Sequence, residues 1–158
     1  MVRHKWDIIP GLNYNRFESG SVLLQSKRAF SFGGSVRYLE DLNRIESLQM
    51  ECDTDWKTLP INYSFPQCAE GRAVSFLGKI ILIGQKFNGS SFDNAMFEFS
   101  EEGELEGNLS ADPLIPKSIE MGCFTVRQDM LFTFDQYRFK GEKKQQMKVF
   151  NGFEWTIL

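Results

Sequence analysis

The sequence repeats itself at an interval of 51 residues, and this period limits the folds that the chain can adopt. Gly20, Gly71 and Gly122 stand 51 residues apart, and no gap is needed to align the three copies over the stretch from Gly20 to Leu48. The other columns with this interval are Gly33/Gly84/Asp135, Asn43/Asn94/Gln145, Ile45/Met96/Met147 and Leu48/Phe99/Phe150. A fixed period of this length indicates a repeat architecture in which each copy is one supersecondary unit.

Each copy is predicted to consist of short strands. In the first copy, Ser21–Leu24 and Arg28–Gly34 are apolar-rich runs separated by a short polar turn, which is the pattern of a β-hairpin. The equivalent pairs are Ala73–Phe76 with Lys79–Gln85, and Cys123–Val126 with Met130–Phe134. A third strand follows at Ile45–Leu48, Met96–Phe99 and Met147–Phe150, and a fourth begins at Trp56, at Leu105 or Leu109, and at Trp155. Four strands in about 50 residues is the period of a β-propeller blade.

The first copy resembles the kelch repeat. The residues that carry this resemblance are the double glycine Gly33-Gly34, the run Asn43–Leu48 and the Trp-opened segment Trp56–Pro60. Later copies depart from the pattern, since Gln85 and Asp135-Gln136 replace glycines. The resemblance implies an all-β fold, a kelch-type β-propeller with three four-stranded antiparallel blades.

The repeat predicts one partial propeller over residues 1–158. Its blades span residues 16–60, 67–110 and 117–158, and residues 1–15 supply the outer strand of a preceding blade and a linker, since Trp6–Pro10 resembles Trp56–Pro60. A closed propeller has about 4–8 blades, so three leave the ring incomplete. Either the residues belong to a longer propeller chain, or another copy or another protein covers the exposed edges.

Composition and charge narrow the choice of partners. The net charge of −3 argues against a nucleic-acid partner, which favours a strongly basic surface. The longest apolar run, Ile80–Ile83, is far shorter than a membrane span, and the first residues lack the apolar core of a secretory signal. We therefore expect an intracellular, cytoplasmic chain that has no contact with a membrane.

The sequence offers few groups for catalysis. His4 is its one histidine, and Cys52, Cys68 and Cys123 are an odd number without the spacing of a zinc site or a disulfide framework. The acidic run Glu101–Glu106 is predicted to be a solvated loop. We predict no catalytic, cofactor-binding or metal-binding residues, and a protein that is not an enzyme.

The expected function is that of a non-enzymatic protein–protein interaction scaffold. Its binding face would be formed by the loops between second and third strands, at residues 35–42, 86–93 and 137–144, with the segments that precede each first strand. Aromatic and Arg side chains in such loops are typical of binding hot spots. The candidate partner-binding residues are Arg16, Arg37, Tyr38, Glu70, Lys86, Phe87, Tyr137, Arg138 and Phe139.

Two alternative functions stay open. In the first, the chain is part of a kelch-like propeller enzyme, a sugar oxidase or a mutarotase, whose active-site residues lie outside residues 1–158. In the second, it is an architectural subunit of a large assembly. Fold alone does not choose among these functions.

Overall fold

The computed structural model describes residues 8–16, 19–34, 43–60, 68–87, 90, 92–109, 124–139 and 142–158. Within these ranges the chain forms twelve β-strands and no α-helix. The sheets, which we call sheets 1, 2 and 3, each contain four antiparallel strands. Sheet 1 is β1 (Gly20–Leu23), β2 (Arg28–Phe32), β3 (Ile45–Gln49) and β4 (Lys57–Thr58). Sheet 2 is β5 (Cys68–Phe76), β6 (Lys79–Phe87), β7 (Phe92–Phe99) and β8 (Leu105–Asn108); sheet 3 is β9 (Phe124–Arg127), β10 (Met130–Phe139), β11 (Glu142–Phe150) and β12 (Trp155–Ile157).

These sheets confirm the predicted all-β class and the three four-stranded antiparallel units. In every sheet the strands lie in chain order, and each pairs with the one before it. A closed ring of sheets is not formed by the described residues, so the kelch propeller stays a prediction. Of the predicted outer strand at Trp6–Pro10, Trp6 and Asp7 lie outside the described residues, and Ile8, Ile9 and Pro10 are not part of a strand.

The first hairpin of each sheet turns at an equivalent place. Lys27, Gly78 and Asp129 stand 51 residues apart, and their φ angles are 65°, 73° and 57°. A positive φ at the turn matches the right-handed twist of the two flanking strands. The repeat therefore conserves a backbone conformation even where the side chains differ.

The second strands differ in length because of the double glycine. Gly33 and Gly34 have φ angles of 54° and 99°, a left-handed backbone that ends β2 at Phe32. The chain has Gln85 and Gln136 where Gly34 stands in the first copy, and there the strands continue to Phe87 and Phe139.

The predicted loops 86–93 and 137–144 are therefore corrected. Lys86 and Phe87 lie in β6, whereas Tyr137, Arg138 and Phe139 lie in β10. The physical reason is that an extended backbone replaces the glycine turn, so the hairpins lengthen and the connections become short.

Sheet 2 lies between sheets 1 and 3 and buries both of its faces. Ile80 and Leu82 belong to a core shared with Phe30 and Phe32 of sheet 1. Ile81 and Ile83, on the opposite face, share a core with side chains of sheet 3 such as Leu131, Phe150 and Trp155. We call the side of sheets 2 and 3 that faces the preceding sheet the leading face, and the opposite side the trailing face. In sheet 1 the leading face is the equivalent side, which carries Ala29 and Ser31.

The first strands of neighbouring sheets approach closely at the repeated glycines. A Cβ atom on Gly20 would lie 2.6 Å from Cδ1 of Leu82, and one on Gly71 would lie 3.0 Å from the backbone nitrogen of Gly20. Such contacts are closer than packed atoms tolerate. Two members of the repeated glycine column are thus explained by the contact between β1 and β5.

Alanine at Gly71 tests this contact. We expect Gly71→Ala to lower the free energy of unfolding by about 1–3 kcal/mol, because backbone atoms of β1 block the added methyl group. The matched control is Gly11→Ala, since a Cβ there meets nothing within 4 Å. Urea unfolding measures both variants, and equal stabilities would contradict the close approach.

Candidate functional site

The leading face of sheet 1 is covered in part by residues 8–16. The indole nitrogen of Trp56 donates a hydrogen bond to the carbonyl oxygen of Pro10 at 2.9 Å, and the Asn13 side-chain amide donates one to the carbonyl oxygen of Trp56 at 2.6 Å. The Arg44 guanidinium stacks over the ring of Tyr14 at 4.1 Å. These contacts fix the segment along the outer part of the sheet.

An ion pair holds the inner end of the same segment. Arg16 donates to the carboxylate of Glu46 at 2.7 Å and to the carbonyl oxygens of Gly33 and Arg44 at 2.8 and 3.0 Å. The side chains of Arg16 and Glu46 are 1% and 0% exposed. The backbone nitrogen of Asn13 also donates to Glu46, at 2.8 Å. A buried carboxylate is stable in the charged form when it is paired and hydrogen-bonded in this way.

Beside this segment, the leading face of sheet 1 carries an open apolar groove. Its volume is about 330 Å³. The lining residues come from residues 9–12, β1, β2 and the residue that precedes β4: Ile9, Leu12, Ser21, Val22, Leu23, Ala29, Phe30, Ser31 and Trp56. Leu23 is 57% exposed and Ile9 is 46% exposed, so apolar side chains face solvent here.

The groove lies where the repeat has larger side chains in sheet 2. Ala29 and Ser31 stand in the repeat columns that hold Ile80 and Leu82 in sheet 2. The small side chains of Ala29 and Ser31 therefore leave a hollow on the leading face of sheet 1. On the leading face of sheet 2, the larger side chains of Ile80 and Leu82 occupy the equivalent space. Comparison of the columns along the sequence would have revealed this difference, whereas the search for motifs did not.

The structure distributes the predicted partner-binding residues over different environments. Arg16 lies inside the molecule, paired with Glu46, instead of on an exposed loop. Glu70 lies in β5, within an irregular pairing with β6 between Ala69 and Arg72. Arg37 and Tyr38 lie outside the described residues. The partner-binding role of all these residues stays a prediction.

The remaining candidates gather at hairpin ends. Phe87 pairs with Phe92 at the end of the β6–β7 hairpin, and Phe139 pairs with Glu142 at the end of the β10–β11 hairpin. Lys86 precedes the first of these positions, and Tyr137 and Arg138 precede the second. We call residues 86–87 with 92–93, and residues 137–139 with 142–144, the hairpin end of the sheets.

The described part of the chain contains no group of three or more His, Cys, Asp or Glu side chains that could hold a metal ion. Two carboxylates lie beside one lysine in sheet 2, where the ammonium nitrogen of Lys79 is 3.2 Å from Glu98 and 3.5 Å from Glu106. These carboxylates raise the pKa of Lys79 above its ordinary value, with a hydrogen bond from Lys79 to Glu98 as the largest cause. Cys52 is a free, exposed thiol, and His4 lies outside the described ranges. Over the same ranges, no helix has the length and apolar character to cross a membrane.

Neither protein-family profiles nor curated protein sequences match this chain. Solved structures do resemble it, among them Zg3597, a family 117 glycoside hydrolase produced by the marine bacterium Zobellia galactanivorans. The TM-score is 0.54 and the sequence identity is 12%. The match covers 93% of this chain and 57% of the hydrolase, so this chain spans little more than half of its length. At this identity the likeness is one of fold.

The comparison corrects the function expected from the sequence. A chain with a similar arrangement of sheets is a glycoside hydrolase, so the expectation of a non-enzymatic interaction scaffold was wrong. The error came from taking the absence of recognisable catalytic motifs, in a chain with one histidine, as evidence about function.

The buried ion pair generates a stability prediction. We expect Arg16→Met to lower the free energy of unfolding by about 3–5 kcal/mol, because it leaves the Glu46 carboxylate buried without its counter-charge. The control is Lys57→Met, which breaks an ion pair with Asp53 in which the lysine side chain is 67% exposed. That change should cost less than about 1 kcal/mol. Denaturant unfolding, followed by tryptophan fluorescence, measures the free energy of unfolding of both variants. An equal decrease in the two would show that the buried pair stabilises the fold no more than an exposed pair.

Proposed function

We propose that this chain forms three blades of a kelch-type β-propeller and that it binds carbohydrate at the hairpin end of its sheets. The observation that carries the proposal is the fold likeness to a glycoside hydrolase over 93% of the chain. The 51-residue repeat and the stacking of three equivalent four-stranded sheets support the propeller. The neighbouring first strands, in contact at Gly20 and Gly71, would then line the propeller axis.

The residue types at the hairpin end suit a sugar ligand. Phe87, Tyr137 and Phe139 supply aromatic rings, which offer broad apolar contact area to the face of a sugar ring. Lys86 and Arg138 supply hydrogen-bond donors for hydroxyl groups. Their backbone positions lie in β6 and β10, so they are presented by strands instead of long loops.

Hydrolysis would be an activity of the whole protein. Glycosidases of the usual kind act with two carboxylates on either side of the scissile bond. Asp93 and Glu142 lie at the hairpin end of sheets 2 and 3, where the short connections leave β6 and β10. They are the acidic residues that we would test first if the protein cleaves a glycan.

The test is a direct measurement of carbohydrate binding. We expect the protein to be retarded in affinity electrophoresis by at least one soluble polysaccharide and to bind oligosaccharides on a glycan array. The double variant Tyr137→Ala/Phe139→Ala should bind the same ligand about tenfold more weakly, because it loses two aromatic contacts. Release of reducing ends from the bound polysaccharide would extend the function to hydrolysis.

The matched control is Phe153→Ala. Phe153 is an aromatic residue that is 93% exposed between β11 and β12, away from the hairpin end. Its replacement should leave binding unchanged. Failure to bind any polysaccharide, or an equal loss of affinity in the control, would overturn the proposal.

A further inference from the structure

The trailing face of sheet 3 exposes apolar side chains that the repeat buries elsewhere. Phe134 stands in the same column as Phe32 and Ile83. Those two residues are each 1% exposed, because a following sheet covers them, whereas Phe134 is 53% exposed. Phe132 and Met147 occupy the equivalents of Ile81 and Met96 on the same face, and both are partly exposed. Sheet 3 is thus built to receive another sheet.

The leading face of sheet 1 has the complementary shape. Sheets 2 and 3 carry Ile80 and Leu131 where sheet 1 carries Ala29, and the open groove lies at this place. An apolar cavity of roughly 150 Å³ accepts one benzene ring. The groove, at about 330 Å³, therefore has room for two aromatic rings.

We propose that the trailing face of sheet 3 in one copy packs on the leading face of sheet 1 in a second copy, with Phe132 and Phe134 in the groove. The same contact made reciprocally joins two chains head to tail. Two copies then contribute six sheets, a number within the range of about 4–8 at which propellers close. This inference rests on the propeller arrangement proposed above, and its test measures mass instead of carbohydrate binding.

A second copy is the occupant because both halves of the contact belong to this chain. The packing repeats the way in which the trailing face of sheet 1 meets the leading face of sheet 2, where Phe32 and Phe99 lie 4.8 Å apart between ring centroids. A head-to-tail contact of this kind closes into a ring when its rotation allows it. Ile9 lines the groove and is 46% exposed, so it offers apolar surface to the second copy.

The experiment is multi-angle light scattering on the 158-residue chain over a dilution series. We expect twice the mass of one chain, which is 18.3 kDa. Phe134→Asp removes the inserted ring, and Ala29→Phe fills the groove, so each variant alone should have the mass of a single chain. Phe153→Asp, an equally drastic change at a site outside both faces, should stay dimeric. Thermal unfolding by circular dichroism checks that each variant is folded.

Mixing the variants identifies the geometry. The Phe134→Asp chain keeps an intact groove and the Ala29→Phe chain keeps intact phenylalanines, so the mixture can rebuild one of the two contacts. We expect the mixture to contain dimers that neither variant forms alone. A wild-type chain with the mass of one copy would overturn the proposal. An Ala29→Phe variant that stays dimeric would overturn it as well, because the dimer would then not use the groove.

Discussion

The burial of β6 on both of its faces is the constraint on which the structure depends. Ile80, Ile81, Leu82 and Ile83 are four consecutive residues, each no more than 1% exposed. Because successive side chains of a strand point to opposite faces, such a run is stable only if each face is covered by another sheet. Sheets 1 and 3 provide the two covers. Without sheet 1, Ile80 and Leu82 would be exposed to water, and without sheet 3, Ile81 and Ile83 would be exposed. Exposure costs about 1.5–3 kcal/mol for each side chain.

The two junctions of sheet 2 are chemically different. Toward sheet 1, sheet 2 presents Leu82 and Phe97 in a fully apolar core. At the equivalent positions, sheet 3 presents Thr133 and Lys148 toward sheet 2, and both are buried. The first junction thus gains more from the hydrophobic effect than the second. The two junctions thus use equivalent strand positions but side chains of different polarity. Such variation is typical of repeat proteins whose units contact only their neighbours.

The proposed assembly contact and the proposed binding site lie on different parts of the sheets. In the proposed dimer, the contact is made by the groove on the leading face of sheet 1 and by the exposed Phe134 on the trailing face of sheet 3. The hairpin end is independent of that contact, since it lies where β6 and β10 turn into the next strand. Assembly and ligand recognition can therefore be located on separate surfaces of one repeat. The fold likeness to a glycoside hydrolase removes the support that the scarcity of histidine had given to a non-enzymatic function.

The sequence by itself determined the strand content, the three units and most strand positions. Period-two patterns and turns are local properties, so Arg28, Lys79 and Met130 begin their strands where the repeat predicts. It did not determine where the second strands end, because that depends on whether a left-handed backbone is available, as at Gly33 and Gly34 but not at Gln85.

Only the tertiary structure decided what the remaining residues do. Arg16 looked like an exposed binding residue, yet its guanidinium lies beside Glu46, 30 positions away in the chain. The groove likewise arises from side chains of separate segments, from Ile9 to Trp56, that packing brings together. The physical reason is that a local pattern fixes which face of a strand is apolar, whereas the partner of that face is set by packing between residues that are distant in the chain.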